Sequence, residues 1–260
     1  MGKMSATEKP PSADIQSNGT STSVTEAVNP SVDYTKNLTT FSCARYVMEV
    51  CHKLDTNVLT TATALTYFHT FYKNVPLDQF DPFTIGCTCI YLASKVVDDD
   101  IRIRDIVNVG FNCINRDSPP LMLEHYFTMR DSITQTELLL MRALGFKLKI
   151  DLPHKYLLHY LQSLEDWLGR DLLDSVPVKQ TAWSLLQDAF HDPLVTSCQP
   201  ELLAVTCIHV ALELYGVVVP SEVDPWYTVL HDACTKDRVL DIALKLLGLY
   251  NEEKLLTMFP

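Results

Sequence analysis

The sequence predicts an all-α protein made of two similar helical domains in tandem. From Phe41 onward, apolar residues recur at helical spacing between breaks rich in proline and glycine. Only 8 of the 260 residues are glycine, which argues against a glycine-rich β fold or a phosphate-loop enzyme. Segments of the second half also match the first at one fixed spacing. We therefore expect a disordered tail over residues 1–37, a first domain over 38–150 and a second over 151–255.

The composition argues against several classes of protein. A formal net charge of −11 disfavours non-specific binding to nucleic acid or an anionic membrane, and favours a basic or neutral partner surface. No apolar run resembles a signal peptide or could cross a bilayer, so we expect an intracellular protein, nuclear or cytoplasmic. The eight cysteines are then expected as reduced thiols. None forms a C-x-x-C pair, so we expect no zinc, and no other metal or cofactor.

The first 37 residues differ in composition from the rest of the chain. They are rich in Ser, Thr, Pro, Asn and Gly, and Tyr34 is their only aromatic residue. Such a segment cannot bury enough apolar surface to fold alone. We therefore expect it to be a disordered tail that can be removed without unfolding the domains.

Five helices are expected in the first domain because apolar stripes and helix-ending residues alternate along it. An Asn before the second helix can cap it, and a Gly after the fifth can end it in the left-handed conformation. The expected helices are Phe41–Leu54, a second capped by Asn57, a third from Asp81 to Val97, Arg104–Asn112, and Met122–Leu144 followed by Gly145.

The third helix is expected to lie at the centre of this domain. Asp81 can cap its free N–H groups, and Pro82 loses no hydrogen bond at the first helical position. Its only charged side chain is Lys95, so other helices should cover most of its sides. Lys95 must therefore be paired, reach water, or await a partner molecule.

The fifth helix contains the matching anomaly. Its apolar stripe of Ile133, Leu140, Met141 and Leu144 surrounds Glu137, which places a carboxylate on the most apolar face. One interpretation is that Glu137 only pairs with Lys95 inside the domain. The other is that both charges belong to a binding site.

The second domain repeats the first at a fixed offset. Thr206-Cys207-Ile208 matches Thr88-Cys89-Ile90 with an offset of 206 − 88 = 118. The same offset aligns Pro200 with Pro82, Thr181-Ala182 with Thr63-Ala64, Ala211 with Ala93 and Phe190 with Tyr72. Glu213 then falls on Lys95. The domains are thus expected to share a fold but not a surface, with the main site in the first.

These segments resemble the cyclins. The resemblance rests on LASKV at the end of the third helix, IRIRDIVNV in the fourth and TELLLMRALGF in the fifth, and it covers about residues 41–250. The fourth-helix segment is similar to the transcription-type cyclins. The resemblance implies a tandem pair of five-helix cyclin-box domains.

The same resemblance implies a function and a site. In cyclins a Lys that closes the third helix and a Glu in the fifth grip the kinase near its αC helix, and these positions are Lys95 and Glu137 here. It also implies that the chain is not an enzyme but the activating subunit of a cyclin-dependent kinase, cyclin-dependent kinase 10 for the nearest relatives. The apolar neighbours that it adds to the kinase-binding site are Val96, Leu138, Met141 and Phe146.

Some features depart from the family or favour other classes. The first helix, SCARYVMEVCHKL, lacks the MRAIL-like motif by which cell-cycle cyclins dock substrates, and no Arg precedes Arg45, so a destruction box is absent from the tail. A transcription factor of the TFIIB kind is an alternative, but the acidic charge argues against it. A non-catalytic helical scaffold is another. His154 and His159 are five residues apart, which does not suit paired metal ligands on one helix face.

Overall fold

The computed structural model describes residues 33–36, 38–116, 118–119, 121–220 and 225–258. Residues 32–260 form one compact unit, and the expected tail over residues 1–32 and at residue 37 lies outside the described residues. Regular secondary structure in the described part is helical throughout, as predicted. The first half contains α1 (Thr40–Lys53), α2 (Val58–Asn74), α3 (Pro82–Val97), α4 (Ile103–Ile114) and α5 (Leu123–Ala143).

Helix α3 is the centre of the first half. It packs against α1, α2, α4 and α5, and Ile85, Cys87, Thr88 and Ile90, which point to different sides of the helix, are all buried. This arrangement confirms the prediction made from its nearly uncharged sequence. The burial of so many apolar side chains on one helix makes α3 a major contributor to the hydrophobic stabilisation of this half.

The helix ends follow the predicted local chemistry. The Asp81 carboxylate accepts a hydrogen bond from the backbone N–H of Thr84 at 2.9 Å, and the Asn57 side chain accepts one from Leu59 at 3.0 Å. Gly145 adopts φ +60° directly after α5. These residues therefore set where α2, α3 and α5 begin or end.

A close approach between α1 and α3 depends on one glycine. A Cβ atom at Gly86 would lie 2.7 Å from Cγ2 of Val47, which is fully buried. Valine has a stiff side chain and cannot easily move aside. Gly86 thus allows α1 to pack directly on the backbone of α3.

The second half repeats this arrangement around α10. It contains α6 (His154–Leu168), α7 (Arg170–Asp174), α8 (Val178–Ala189), α9 (Leu194–Ser197), α10 (Pro200–Leu214) and α11 (Lys236–Met258), and α10 packs against α6, α8 and α11. The Thr88 hydroxyl donates to the carbonyl oxygen of Thr84, and the equivalent Thr206 hydroxyl donates to that of Leu202, both at 2.8 Å. The internal repeat is therefore present in the packing as well as in the sequence.

The second half differs from the first between α10 and α11. Between α10 and α11, the described residues contain only a 3₁₀ turn, Trp226–Val229, where the first half has α4. Gly216 ends α10 with φ +65°, and Pro220 and Pro225 interrupt the segment that follows. Proline lacks the backbone N–H that a helix interior needs, so a counterpart of α4 does not form here.

Tyr34 corrects the predicted extent of the tail. Its side chain is only 3% exposed, lies edge-on to Tyr46 at 5.8 Å, and its hydroxyl donates a hydrogen bond to Glu49. Glu49 also binds Lys53 at 2.7 Å and Arg116 at 2.9 Å. The prediction that residues 1–37 join no core is therefore wrong at Tyr34, because a single aromatic residue packs on α1.

The two halves meet at a buried joint around Phe190. The Nε2 atom of His69, on α2, donates a hydrogen bond to the Phe190 carbonyl oxygen at 2.9 Å. The Phe190 ring stacks on the ring of His154 at 5.5 Å, and His154 accepts a hydrogen bond from Gln187 at 2.9 Å. Burial lowers the pKa of both histidines to about 4, so both are neutral at pH 7.

Candidate functional site

Lys95 and Glu137 form an ion pair at the edge of the first half. Lys95 lies in the last turn of α3, and its Nζ atom is 2.7 Å and 2.9 Å from the two carboxylate oxygens of Glu137 on α5. The Lys95 side chain is 45% exposed and that of Glu137 is 14% exposed. The two predicted residues are therefore brought together, with the ammonium group accessible to solvent and the carboxylate mostly covered.

Electrostatics hold Lys95 in its charged form. Partial burial on its own lowers the pKa of Lys95, but hydrogen bonds to Glu137 and Tyr91 and the attraction of the Glu137 carboxylate outweigh it, so the pKa is raised. The Nζ atom also lies 3.9 Å from the centre of the Tyr91 ring. Glu137 and Tyr91 together orient a permanent positive charge at the surface.

The pair contributes little to the stability of the free protein. An ion pair with one partner this exposed typically stabilises by about 1 kcal/mol or less, since water screens it. In an ion pair within the core, both side chains would instead be buried from water. Its position at the edge therefore argues against a purely structural role for these charges.

The acidic run after α3 is directed away from Lys95. Asp98 ends the helix in the left-handed conformation with φ +59°. The carboxylate of Asp99 then accepts hydrogen bonds from the backbone N–H of Asn57 at 2.9 Å and the hydroxyl of Thr60 at 2.7 Å. A negative charge at the start of α2 is favourable. Asp99 thus links the end of α3 to the start of α2. Glu137 is the carboxylate that pairs with Lys95.

Apolar side chains are also exposed on the helices that carry the pair. Val96 and Leu138 follow Lys95 and Glu137 directly and are exposed, whereas Met141 is half-buried and packs on the core. Phe146 is 63% exposed and has φ +58°, a conformation that a bulky residue rarely adopts. Its backbone N–H is held by the Met141 carbonyl oxygen at 2.9 Å. The backbone at Phe146 is therefore strained, and its aromatic ring lies in solvent.

Helix α5 as a whole is poorly covered. Over its 21 residues only Ile133 and Leu140 are buried, although a surface helix usually buries a continuous stripe. Leu123, Phe127 and Leu139 are exposed in addition to Leu138. Sequence reasoning missed Tyr91, Leu123, Phe127 and Leu139. The i, i+4 spacing of Leu123 and Phe127 was a usable indication, but only the fold shows which side of the helix lies in solvent.

The remaining candidate residues do not assemble into a catalytic or metal site. His154 is buried against Phe190, whereas His159 is exposed. Among the residues described, no three His, Cys, Asp or Glu side chains could together hold a metal ion. None of the helices within the described ranges is both long and apolar enough to cross a membrane.

Comparison with protein families gives one match in the first half. Residues 22–149 match the family model described as the cyclin N-terminal domain. Human cyclin-L2 is 30% identical to this chain over 198 residues, which are 74% of this chain and 36% of that protein. Cyclin-L1 of Danio rerio is 28% identical over 197 residues, which are 74% of this chain and 38% of that protein. The chain thus spans little more than a third of the length of these relatives.

Two solved structures share the fold. A chain in the crystal structure of the yeast RNA Pol II CTD kinase CTDK-1 complex has a TM-score of 0.65 and 15% identity, with 81% of this chain and 64% of that chain covered. A chain in the CAK complex of Chaetomium thermophilum has a TM-score of 0.60 and 16% identity, with 82% and 62% covered. At these identities the likeness shows the fold alone.

Proposed function

Because residues 22–149 match the model of the cyclin N-terminal domain, we propose that the chain is a cyclin and the regulatory subunit of a cyclin-dependent Ser/Thr protein kinase. It performs no chemistry itself and forms a heterodimer with the kinase. The observation that carries this proposal is the Lys95–Glu137 pair, in which the exposed Lys95 is oriented by Tyr91 and Glu137, on helices that also expose Val96 and Leu138.

The proposed activity is a shift in the conformation of the kinase. A protein kinase transfers a phosphoryl group only when the Glu of its αC helix pairs with the Lys of its third strand. A subunit that binds the inward position of αC more tightly than the outward position increases the population of active kinase. The same subunit would activate nothing if it bound both positions equally well.

The residues of the site have different proposed roles. Val96, Leu138, Met141 and Phe146 supply apolar contact area, and the strained Phe146 offers a rigid anchor of the kind that dominates binding energy. Glu137 is mostly covered and holds Lys95 in position before the kinase arrives. The exposed Lys95 ammonium then hydrogen-bonds to groups on the kinase and fixes the register of the contact.

The identity of the kinase is a finer part of the proposal. The segments YFTMRDSITQTELLLMRALGF, PHKYLLHYLQSLEDWL and TAWSLLQDAFH resemble cyclin Q more than other members of the family. On that resemblance we take cyclin-dependent kinase 10 as the partner. The complex then phosphorylates Ser or Thr residues of other proteins in the nucleus, the cytoplasm or both.

The proposal is tested by measuring stability and kinase affinity on the same variants. Lys95→Ala and Glu137→Ala should each shift the melting temperature of the free protein only slightly. Each should weaken kinase binding about 30-fold, or about 2 kcal/mol, because kinase groups lose their partners. Exchanging the charges in Lys95→Glu/Glu137→Lys should restore pairing within the chain but not binding to the kinase.

A matched exposed pair in the second half provides the control. Lys179 binds Asp174 at 2.9 Å and Glu165 at 3.1 Å, and it is comparably exposed. Lys179→Ala should change neither the melting temperature nor the affinity appreciably. Unchanged kinase affinity in folded Lys95 and Glu137 variants would show that the site lies elsewhere.

A further inference from the structure

Helix α11 has a second apolar face that nothing in the described chain covers. Its inner face buries Val239, Ile242, Leu246 and Leu249 in the core of the second half. On the opposite face, Leu240, Leu244 and Leu247 are 45%, 71% and 49% exposed, and their i, i+4, i+7 spacing places them in one stripe. A helix that is apolar on opposite faces is normally covered on both.

Gly248 lies beside this stripe, four residues after Leu244. A Cβ atom at this position would meet no other atom within 4 Å, and its φ is not in the left-handed region. Neither packing nor backbone conformation within the chain therefore requires a glycine, although glycine destabilises a helix interior. A missing side chain on an exposed apolar face leaves a notch that lets another helix approach closely.

The charges along one side of the stripe are self-complementary. Asp241 and Lys245 form an ion pair at 2.7 Å on the same helix. In an antiparallel pair of identical helices with its two-fold axis at Leu244, residues whose numbers sum to 2 × 244 = 488 lie opposite each other. Leu240 then faces Gly248 of the second copy, since 240 + 248 = 488. Asp241 lies two residues, or about 3 Å along the helix axis, from the level of Lys245 of the second copy, within reach of an ion pair.

We propose that α11 is a dimerisation surface at which two copies of this chain pair in antiparallel orientation. Leu244 packs on its own symmetry mate, and the Leu240 side chain fills the notch at Gly248 of the second copy. The stripe offers less contact area than a typical stable interface. We therefore expect the dimer to have a dissociation constant in the micromolar range. The site on α3 and α5 lies in the other half of the chain, so kinase binding and dimerisation are independent.

Sedimentation velocity of the purified chain, from about 1 to about 200 µM, tests the proposal. The mass should rise from monomer to dimer with concentration. Because each copy carries a net charge of −11, added salt should screen repulsion and strengthen the dimer. Leu244→Glu should abolish the dimer, whereas Leu158→Glu, at an exposed leucine on α6, should not.

Gly248→Ala separates dimerisation from folding. The added methyl group meets open space in the monomer and improves helix propensity, so the melting temperature of the monomer should rise. In the dimer it fills the notch, so the dissociation constant should rise about tenfold or more. A dimer that is unaffected by Leu244→Glu and Gly248→Ala would use another surface and overturn the proposal.

Cross-linking tests the symmetry directly. Seven of the eight natural cysteines are buried and Cys198 is half-buried, so a new surface thiol dominates reaction with maleimides. A short bis-maleimide should link Leu244→Cys to itself in the wild-type background and leave Leu158→Cys monomeric. A monomeric mass at every concentration and no Leu244→Cys cross-link would refute the proposal.

Discussion

Helices α3 and α10 are equivalent helices of the first and second halves. Each begins with a proline in its first turn, each buries a threonine that bonds the carbonyl oxygen four residues back, and each carries a fully buried alanine near its end, Ala93 and Ala211. Their ends differ. Lys95 closes the first and pairs with Glu137, whereas Glu213 closes the second and lies exposed beside Lys236 and Leu240 in a shallow groove.

This difference shows that one set of residues determines the packing of the helix and another set determines its surface charge. The shared residues face the interior, where a helix must fit its neighbours closely. The differing residues lie at the helix end, where solvent tolerates either charge. A duplicated fold can therefore keep the proposed kinase-binding face in one half while the surface of the other half differs, and the tests below examine how far this separation extends.

Acidification should have the largest effect, because it destabilises the buried contact between the two halves around Phe190. The pKa of His69 and that of His154 are about 4 in the folded protein and about 6.5 in an unfolded chain. Between these values the unfolded chain binds more protons, so stability is complete above about pH 6.5 and falls as the pH falls. Each histidine should cost about 2 kcal/mol between about pH 7.5 and pH 5. Urea unfolding at both pH values measures it.

A substitution at the joint provides the control. His69→Gln keeps a donor for the Phe190 carbonyl oxygen but does not titrate. It should remove about half of the pH dependence, because His154 still contributes its share. If the two halves were independent, the acid transition would split into two steps.

Exchanging the end residues of α3 and α10 should give the next largest effect. Lys95→Glu makes the first helix end like the second, and it should weaken kinase binding by about 3 kcal/mol because two carboxylates then repel each other at the site. Glu213→Lys makes the reverse change and should alter affinity less than about twofold. Titration calorimetry with the kinase measures both. A comparable loss in both folded variants would assign the site to both halves.

The contact between the first and third helices distinguishes the halves in stability. Gly86 has Ala204 as its repeat equivalent, since 86 + 118 = 204, and Ala204 is fully buried. Gly86→Ala should lower the free energy of unfolding by about 2 kcal/mol because its methyl group meets Val47. Ala204→Gly should cost about 1 kcal/mol through helix propensity alone. Chemical denaturation would contradict this account if Gly86→Ala proved neutral.

The buried threonines should give the smallest difference. Thr88→Val and Thr206→Val each remove one hydrogen bond of the same geometry from the same position. Each should cost about 1 kcal/mol, and the two costs should agree within about 0.5 kcal/mol. Thermal melting of both variants tests this equality. Unequal losses would mean that the halves differ in packing as well as in surface.

Local chemistry explains what the sequence could predict. Asp81, Asn57 and Gly145 act on their own helix ends, so their effects need no knowledge of the fold. Lys95 and Glu137 stood out because a charge on an apolar face is costly wherever the helix packs. The internal repeat was visible because buried positions of two copies keep the same residue types.

Other features depend on contacts between distant residues. The hydrogen bond from His69 to Phe190 joins residues 121 apart, and no local pattern announces it. The positive φ of Phe146 follows from how the chain leaves α5, which composition does not reveal. The 3₁₀ turn that stands in place of α4 has a local cause in Pro220 and Pro225, but the internal repeat alone does not reveal it.

The attachment of Tyr34 to α1 also has a consequence for covalent modification. Its hydroxyl is enclosed by Glu49 and the Tyr46 ring, so a tyrosine kinase or a labelling reagent can reach it only in molecules whose residues 33–36 have detached. The rate of modification would then report the equilibrium of that detachment rather than the chemistry of the phenol.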